Sequence, residues 1–384
     1  MVNNIEIFYI LPKLDYFSDG YRGRVTHAIG VANGLDENKI RLSIYSNQDI
    51  VLFSKDFNKN IKLFPIRASR YFKNIFSNFI WQIRLFNYVR EGIKETKPKI
   101  VICRYAVRNV IFNLLLSSYI KKKSISVIEI NSLAYHQYHK LVLFLRKLIM
   151  WVEVRQLNRF NFLYVISKKI RADLYIHNCK SEVTVIPNAL GGLSPKLKTR
   201  KTKDSCIRII YFGKFQPYYD FKIVISVFKK LKVDFADVEL HFWGNGVQYQ
   251  DALNFSDNFT GIYFHGEYNR KDLNNLFNMK NDVFILPLKS NDLGEIVSPI
   301  KMFEYMSFGV PIIVANIGQA EELFNDRING FCYNPNNIDS LYEAISYCIT
   351  NPEKRIQAGK QIKKELLTKH TWEKRMSKLL KYLD

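Results

Sequence analysis

Cysteine is scarce and scattered in this chain. The five residues, Cys103, Cys179, Cys206, Cys332 and Cys348, are odd in number, and no two form a Cys-x-x-Cys pair. That argues against a disulfide framework or a thiolate zinc site and fits a reducing compartment. Long apolar runs are missing too. None reaches the roughly 18–20 residues that a membrane-spanning helix needs, and the nearest, 141–152, is interrupted by Arg146 and Lys147. The first apolar run, 5–11, contains Glu6 and lacks the flanks of a signal peptide. It reads as a first buried strand. These absences predict a cytoplasmic protein, soluble or peripheral on the inner face of the cell membrane. Low-complexity segments and short solenoid repeats are not seen. Nor is a well-placed Asp-x-Asp element or a cluster of His, Asp and Glu, so the sequence does not call for a metal.

Acidic residues are scarce in one half only. Residues 1–200 carry 33 Lys and Arg against 13 Asp and Glu, a balance of +20, while residues 201–384 carry 24 against 22. A basic half attracts something anionic: nucleic acid, an acidic membrane face or a phosphorylated acceptor. A solvated surface in a Lys-rich composition is an equal reading. No zinc finger or aromatic RNA-binding signature accompanies the charge, so a nucleic-acid partner is not expected.

What is present is a regular alternation. The 384 residues, 47% of them hydrophobic, suffice for two domains with ordinary cores. Strand-like runs fall at 6–10, 41–45, 61–64, 100–104, 125–129, 162–166 and 183–186, and again at 207–212, 238–243, 262–265, 283–286, 311–314 and 331–333. Helix-like runs lie between them, notably 25–35, 71–94, 136–160, 168–177, 220–232, 271–279, 299–308, 338–349 and 352–367, with a last helix over 372–383. This is the pattern of α/β units with parallel sheets. Segment 191–204, GGLSPKLKTRKTKD, is polar, basic and aperiodic, which marks a linker. The reading is two Rossmann-like domains, 1–190 and 205–370, whose parallel sheets face a central cleft.

The most informative segment is 298–311, SPIKMFEYMSFGVP. Ser298 suits an N-cap and Pro299 a first helical position. Gly309 and Pro311 stop the helix. The free amides around Ile300 and Lys301 can cradle a phosphate, and Lys301 adds positive charge. Glu304 lies about one and a half turns in, where a carboxylate can accept hydrogen bonds from vicinal hydroxyls such as those of a ribose. Caps and stops alone also describe an ordinary amphipathic core helix.

The pattern S-P-x-K-x-x-E-Y-M-x-x-G-x-P, followed by Gly318 and Glu321-Glu322, resembles the donor-site signature of retaining GT-B glycosyltransferases of family 4. The resemblance implies that Glu304 holds the donor ribose and that the helix amides meet its diphosphate. Glu304 stands at the second position of that family's E-x7-E element; the first position is Ile296, with Glu295 beside it. Gly213-Lys214 resembles the family's diphosphate turn, although a plain strand-to-helix turn reads the same way. Tyr219 occupies the place of a second family lysine, and Lys222 is the nearest candidate. His265-Gly266-Glu267-Tyr268 resembles the loop that contacts the base, and Gly244-Asn245-Gly246 the family's Gly-x-Gly turn. Pro187-Asn188 resembles its interdomain hinge. Asp19-Gly20-Tyr21-Arg22-Gly23 resembles the Gly-rich loop facing donor and acceptor. Arg104-Tyr105 and Glu129-Ile130-Asn131 resemble acceptor-side positions, although Glu129 could equally pair with a basic neighbour as structure. Thr371-Trp372 with Arg375 resembles the closing helix, which implies that 371–384 packs back on the first domain.

The expectation is therefore a retaining transfer from a nucleotide-sugar, UDP- or GDP-linked, to a saccharide acceptor. The basic first half suits a lipid-diphosphate-linked acceptor in cell-surface polysaccharide synthesis. Lys214, Lys301 and the amides after Ser298 would stabilise the departing diphosphate. Glu129 or Asn131 would orient the acceptor hydroxyl, Glu295 remains a candidate for the transferred sugar, and no nucleophile is assigned. Lys121-Lys122-Lys123 and segment 140–159 would meet an anionic membrane surface; a buried helix with two exposed cations is the equal alternative. Rival readings are a nucleic-acid-binding protein and a sugar-nucleotide epimerase of the same fold.

Overall fold

Short runs rich in Ile, Val, Phe and Tyr become strands, as β-branched and aromatic side chains favour. The computed structural model describes residues 5–13, 16–17, 23–67, 75–137, 142–190, 206–269, 273–278 and 280–383. The chain divides into two units, Met1–Gly191 with Thr371–Asp384, and Gly192–His370. The predicted linker, 191–204, lies outside the described residues, as do 19–22 of the predicted Gly-rich loop.

The first unit holds β1 (Glu6–Ile10), β2 (Arg41–Asn47), β3 (Lys62–Ile66), β4 (Ile100–Arg104), β5 (Ile125–Ile130), β6 (Phe162–Val165) and β7 (Glu182–Val185). They form one sheet in the order β3-β2-β1-β4-β5-β6-β7, and each adjacent pair is parallel. Every residue of β4 is buried, as expected of a parallel strand covered on both faces. The helix predicted over 136–160 is observed as two, Ala134–Gln137 and Leu143–Leu157, with 138–141 outside the described residues. The helix predicted over 71–94 is observed as Ile75–Thr96.

The terminal helix Trp372–Leu383 belongs to this first unit. Trp372, Met376, Leu379 and Leu383 recur at helical spacing and enter its core. They pack on the helix Gly23–Glu37, where Gly30 and Gly34 leave a flat face. A Cβ on Gly30 would overlap the Trp372 indole.

The second unit holds β8 (Ile207–Phe212), β9 (Val238–Trp243), β10 (Ile262–Phe264), β11 (Asp282–Leu286), β12 (Ile312–Ala315) and β13 (Phe331–Tyr333). Their order is β10-β9-β8-β11-β12-β13, again parallel throughout. The strand order reverses between β1 and β4 in one sheet and between β8 and β11 in the other. Ligands of open α/β sheets bind beyond the strand C-termini at such reversals.

Candidate active site

In the second unit the reversal point is built from the end of β8. Phe212 ends that strand, and its ring packs on Tyr305, Phe277, Phe284 and Phe308. The Tyr305 hydroxyl donates to the Phe212 carbonyl and accepts from the Phe212 amide, both at 2.9 Å. This clamp ties the helix Ile300–Phe308 to the turn that follows β8. That turn is Gly213, at φ +146°, a region that glycine tolerates far better than other residues. Its amide donates to the Trp243 carbonyl, and the Gly244 amide donates to the Gly266 carbonyl, so three strand-end turns are stitched side by side. A Cβ on Gly244 would overlap the Gly213 carbonyl.

Lys301 lies over this turn. Its Nζ is 2.8 Å from Glu304 Oε2 and 3.2 Å from the Tyr268 hydroxyl, and it stands 4.5 Å from the Phe212 ring centroid. Its Cε would be 2.7 Å from a Cβ on Gly213. Burial pulls the Lys301 ammonium down, but the Glu304 carboxylate and Tyr268 outweigh it, so the group is held above its ordinary value. A fixed cation thus sits against a glycine turn, and a carboxylate one helical turn farther holds it. Such a cation and open backbone can receive a diphosphate, and the carboxylate can receive sugar hydroxyls.

Four of the predicted residues, Gly213, Tyr268, Lys301 and Glu304, meet here. Gly266 joins them through the stitched turns, and Lys214 follows Gly213 with an exposed side chain. The helix starts one residue later than predicted. Ile300 is its first residue and Pro299 takes the N-cap position; the proline ring has no atom to cap with, and the Met302 amide donates to the Pro299 carbonyl at 3.0 Å. Ser298 is buried just before it. Glu295 lies on the separate short helix Asp292–Ile296, half-buried. Ile296, at the first position of the E-x7-E spacing, is a core residue. Lys222, the candidate for the second family lysine, holds its ammonium over the Phe255 ring, 5.5 Å from the centroid. The Phe212 platform and the Tyr305 clamp were not anticipated, since an aromatic at a strand end and a helical Tyr read simply as core.

In the first unit Arg104, Glu129 and Tyr164 are register neighbours on β4, β5 and β6. Glu129 is 0% exposed and has four partners. Tyr9 and Tyr164 each donate a hydroxyl to Oε2 at 2.7 Å. Oε1 lies 2.7 Å from His27 Nε2 and 2.9 Å from the Arg104 guanidinium. Burial raises the carboxyl, but Arg104 and His27 overcome it and hold it down at about 2. Both Glu129 oxygens are thus engaged within the protein, in line with the reading that pairs it with a basic neighbour, Arg104. Asn131, one residue beyond β5, is half-buried, and its Oδ1 is buried without a protein hydrogen-bond partner among the described residues. Gly23 is the first residue of the helix Gly23–Glu37 and is exposed. Asn188 Oδ1 lies 2.5 Å from His27 Nδ1, so the predicted hinge residue is tied to the same cluster.

Among the described residues no group of three or more His, Cys, Asp and Glu is placed to hold a metal ion. Among the same residues no helix is long and apolar enough to cross a membrane.

Residues 196–365 match the family model described as Glycosyl transferases group 1. An uncharacterized glycosyltransferase of Haemophilus influenzae is 24% identical over 178 residues, 43% of this chain and 45% of that protein. The match thus spans less than half the length of that curated relative. Among solved structures, HepE of Anabaena in complex with UDP and glucose aligns over 99% of both chains, with TM-score 0.68 and 14% identity. Sucrose-phosphate synthase of Thermosynechococcus elongatus aligns over 99% of both chains with TM-score 0.70 and 12% identity. At such identities the likeness is one of fold. The fold is that of the GT-B glycosyltransferases, and the second unit carries the match to the glycosyltransferase group 1 domain.

Proposed function

We propose that this protein is a retaining glycosyltransferase, of the family 4 kind, that moves a sugar from a UDP-sugar to a saccharide acceptor. The second unit, 205–370, binds the donor, and the first, 1–190 with the terminal helix, binds the acceptor. The carrying observation is the Lys301–Glu304–Tyr268 cluster over the Gly213 turn at the β8/β11 reversal. The HepE structure holds UDP and glucose, which favours UDP over GDP as the carrier.

Lys301, Lys214 and the amides at the start of Ile300–Phe308 face the charge that grows on the diphosphate as its bond to the sugar breaks. These groups supply positive charge without a metal. Glu304 takes the ribose hydroxyls, and the turn at Gly266 and Tyr268 takes the base. The acceptor oxygen joins the sugar on the face that the diphosphate leaves, so the anomeric configuration is kept. Asn131 contacts the acceptor through its unpartnered Oδ1. Glu129 acts as a positioning residue that holds Arg104 at the end of β4 and His27 on the helix Gly23–Glu37. Glu295, off the lysine cluster, remains the candidate for the transferred sugar.

The +20 balance of residues 1–200 supports a lipid-diphosphate-linked acceptor, met at the inner face of the cell membrane in polysaccharide synthesis. Calorimetry against UDP-, GDP-, ADP- and CMP-sugars tests the donor, and turnover with lipid-linked saccharides tests the acceptor. Proton NMR of the product must show the donor's anomeric configuration. Inversion would end the retaining assignment, and a converted donor without acceptor would make the protein an epimerase.

A further inference from the structure

The helix Leu143–Leu157 is apolar nearly all round, and it turns its one acid, Glu153, inward together with Gln156. Its buried face carries Glu153 and Gln156 together with Met150, Val154 and Leu157. Glu153 is fixed there: Oε1 accepts from the Ala134 amide at 2.6 Å and the Tyr105 hydroxyl at 2.7 Å, and Oε2 from the Tyr135 amide at 3.2 Å. The carboxylate thereby holds the start of the helix Ala134–Gln137, which His136 ties to Asp173 at 2.8 Å. Rotating the longer helix to hide its apolar side would break these bonds. That side is therefore committed to the outside. Phe144 is 74% exposed, Trp151 54% and Leu148 48%, and Leu145 and Val152 flank them. At i, i+4 and i+7, Phe144, Leu148 and Trp151 make one stripe.

Cations are interleaved with this stripe. Lys147 and Arg155 are exposed on the helix and Arg159 just after it, and the Arg155 guanidinium stands 4.5 Å from the Trp151 ring centroid. Between residues 142 and 159 the only acid is Glu153, which faces inward. The helix Val110–Ile120 packs beside this one and ends at the exposed Lys121, Lys122 and Lys123.

We infer that the outward face of Leu143–Leu157 is a docking surface for an anionic lipid bilayer, with the helix lying in the interfacial plane. An exposed apolar stripe with cations on its borders and no acid is what such a surface receives. Trp and Arg together suit the boundary between headgroups and acyl chains. A second copy of the chain fits poorly, because a two-fold contact would set Lys147 and Arg155 against their own kind. The inference deepens the reading of a membrane-presented acceptor and rests on it for its purpose, but its test needs neither donor nor acceptor.

The full chain is sedimented with vesicles of phosphatidylcholine alone and with vesicles half phosphatidylglycerol, at low and high salt. Binding is expected to the anionic vesicles and to weaken with salt. Phe144→Ser with Leu148→Ser and Trp151→Ser should lower the partition more than about tenfold. Lys147→Glu with Arg155→Glu should lower it about a hundredfold at low salt. Far-ultraviolet circular dichroism and the first unit's chemical-denaturation midpoint, measured on the same preparations, should not move, which shows that the first unit of the variants is folded. Wild type that stays in the supernatant, or variants that bind like wild type, would overturn the proposal. So would a dimer in analytical ultracentrifugation that the triple substitution dissolves. Intact docking with no transfer to any lipid-linked saccharide would count against the acceptor reading alone.

Discussion

Replacing Glu304 by alanine separates two things its carboxylate can do. One is structural. Its ion pair with Lys301 is 2.8 Å long, and the two side chains are 15% and 18% exposed. That lies between a surface pair, worth about 0–1 kcal/mol, and a buried pair whose breakage costs about 3–5 kcal/mol. Lys301 retains the Tyr268 hydroxyl and the Phe212 ring, which offset part of the loss. A cost of about 2 kcal/mol follows, or roughly 4–8 °C in the thermal midpoint of a unit this size. The other role is the ribose. A charge-assisted hydrogen bond contributes about 1.5–3 kcal/mol, so each one lost weakens UDP binding roughly 10- to 150-fold. The assay is calorimetric titration of UDP and of 2′-deoxy-UDP into wild type and Glu304→Ala. Wild type should prefer UDP, and the variant should bind both equally weakly, because the same hydrogen bond cannot be lost twice. A variant with a lowered midpoint but a UDP dissociation constant within twofold of wild type would refute the ribose assignment. The carboxylate would then serve only to hold Lys301.

The remaining expectations concern stability and its dependence on pH. Glu129→Gln leaves Arg104 and His27 without their anion at a fully buried site, and should cost about 3–5 kcal/mol in the first unit while UDP affinity holds; chemical denaturation with a UDP titration checks both. Because the Glu129 carboxyl is held at about 2 in the fold and near 4.3 when unfolded, its contribution is complete above about pH 4.3 and is lost as pH falls toward 2; the acid limb of the first unit's unfolding curve should flatten in the Gln variant. His241 runs the other way in charge. Burial pushes it down to about 4, with Arg208 and His265 adding to this against the pull of Glu239. The unfolded chain then binds the extra proton between about pH 6.5 and 4, and the second unit should weaken as pH falls through that range and be level above it. Thermal scans with and without UDP assign the midpoint, and a flat profile would contradict the burial of His241. Gly30→Ala drives a methyl into the Trp372 indole and should loosen the terminal helix, read as faster proteolytic trimming at the C-terminus with the second unit intact.

Local chemistry made the strands and the glycine turns legible. The β8 run and its glycine are neighbours in sequence, and period and turn residues act over such distances. Partnerships across long separations were not legible. Glu129 read equally as a cleft residue at a strand end and as the partner of a basic neighbour. Its partners Tyr9 and His27 stand on other elements far away in sequence, and they convert it into an ionised, fully engaged strut. The Lys301–Tyr268 contact spans 33 positions and follows from sheet order, which places β10 on the same side of β8 as β9. The helix Leu143–Leu157 shows the limit most clearly. A helix with apolar residues all round has no preferred rotation by pattern alone, so interfacial and buried readings stood equal. Hydrogen bonds from Ala134, Tyr135 and Tyr105 fix the rotation by claiming Glu153. Once the acid is inside, Phe144, Leu148 and Trp151 have nowhere to go but outward. The apolar exposure is thus a consequence of a polar contact, and Glu153→Leu should release it. The variant helix should rotate, protect Trp151 from an aqueous fluorescence quencher and lose affinity for anionic vesicles. An unchanged Trp151 signal would mean that packing, not the carboxylate, fixes the rotation.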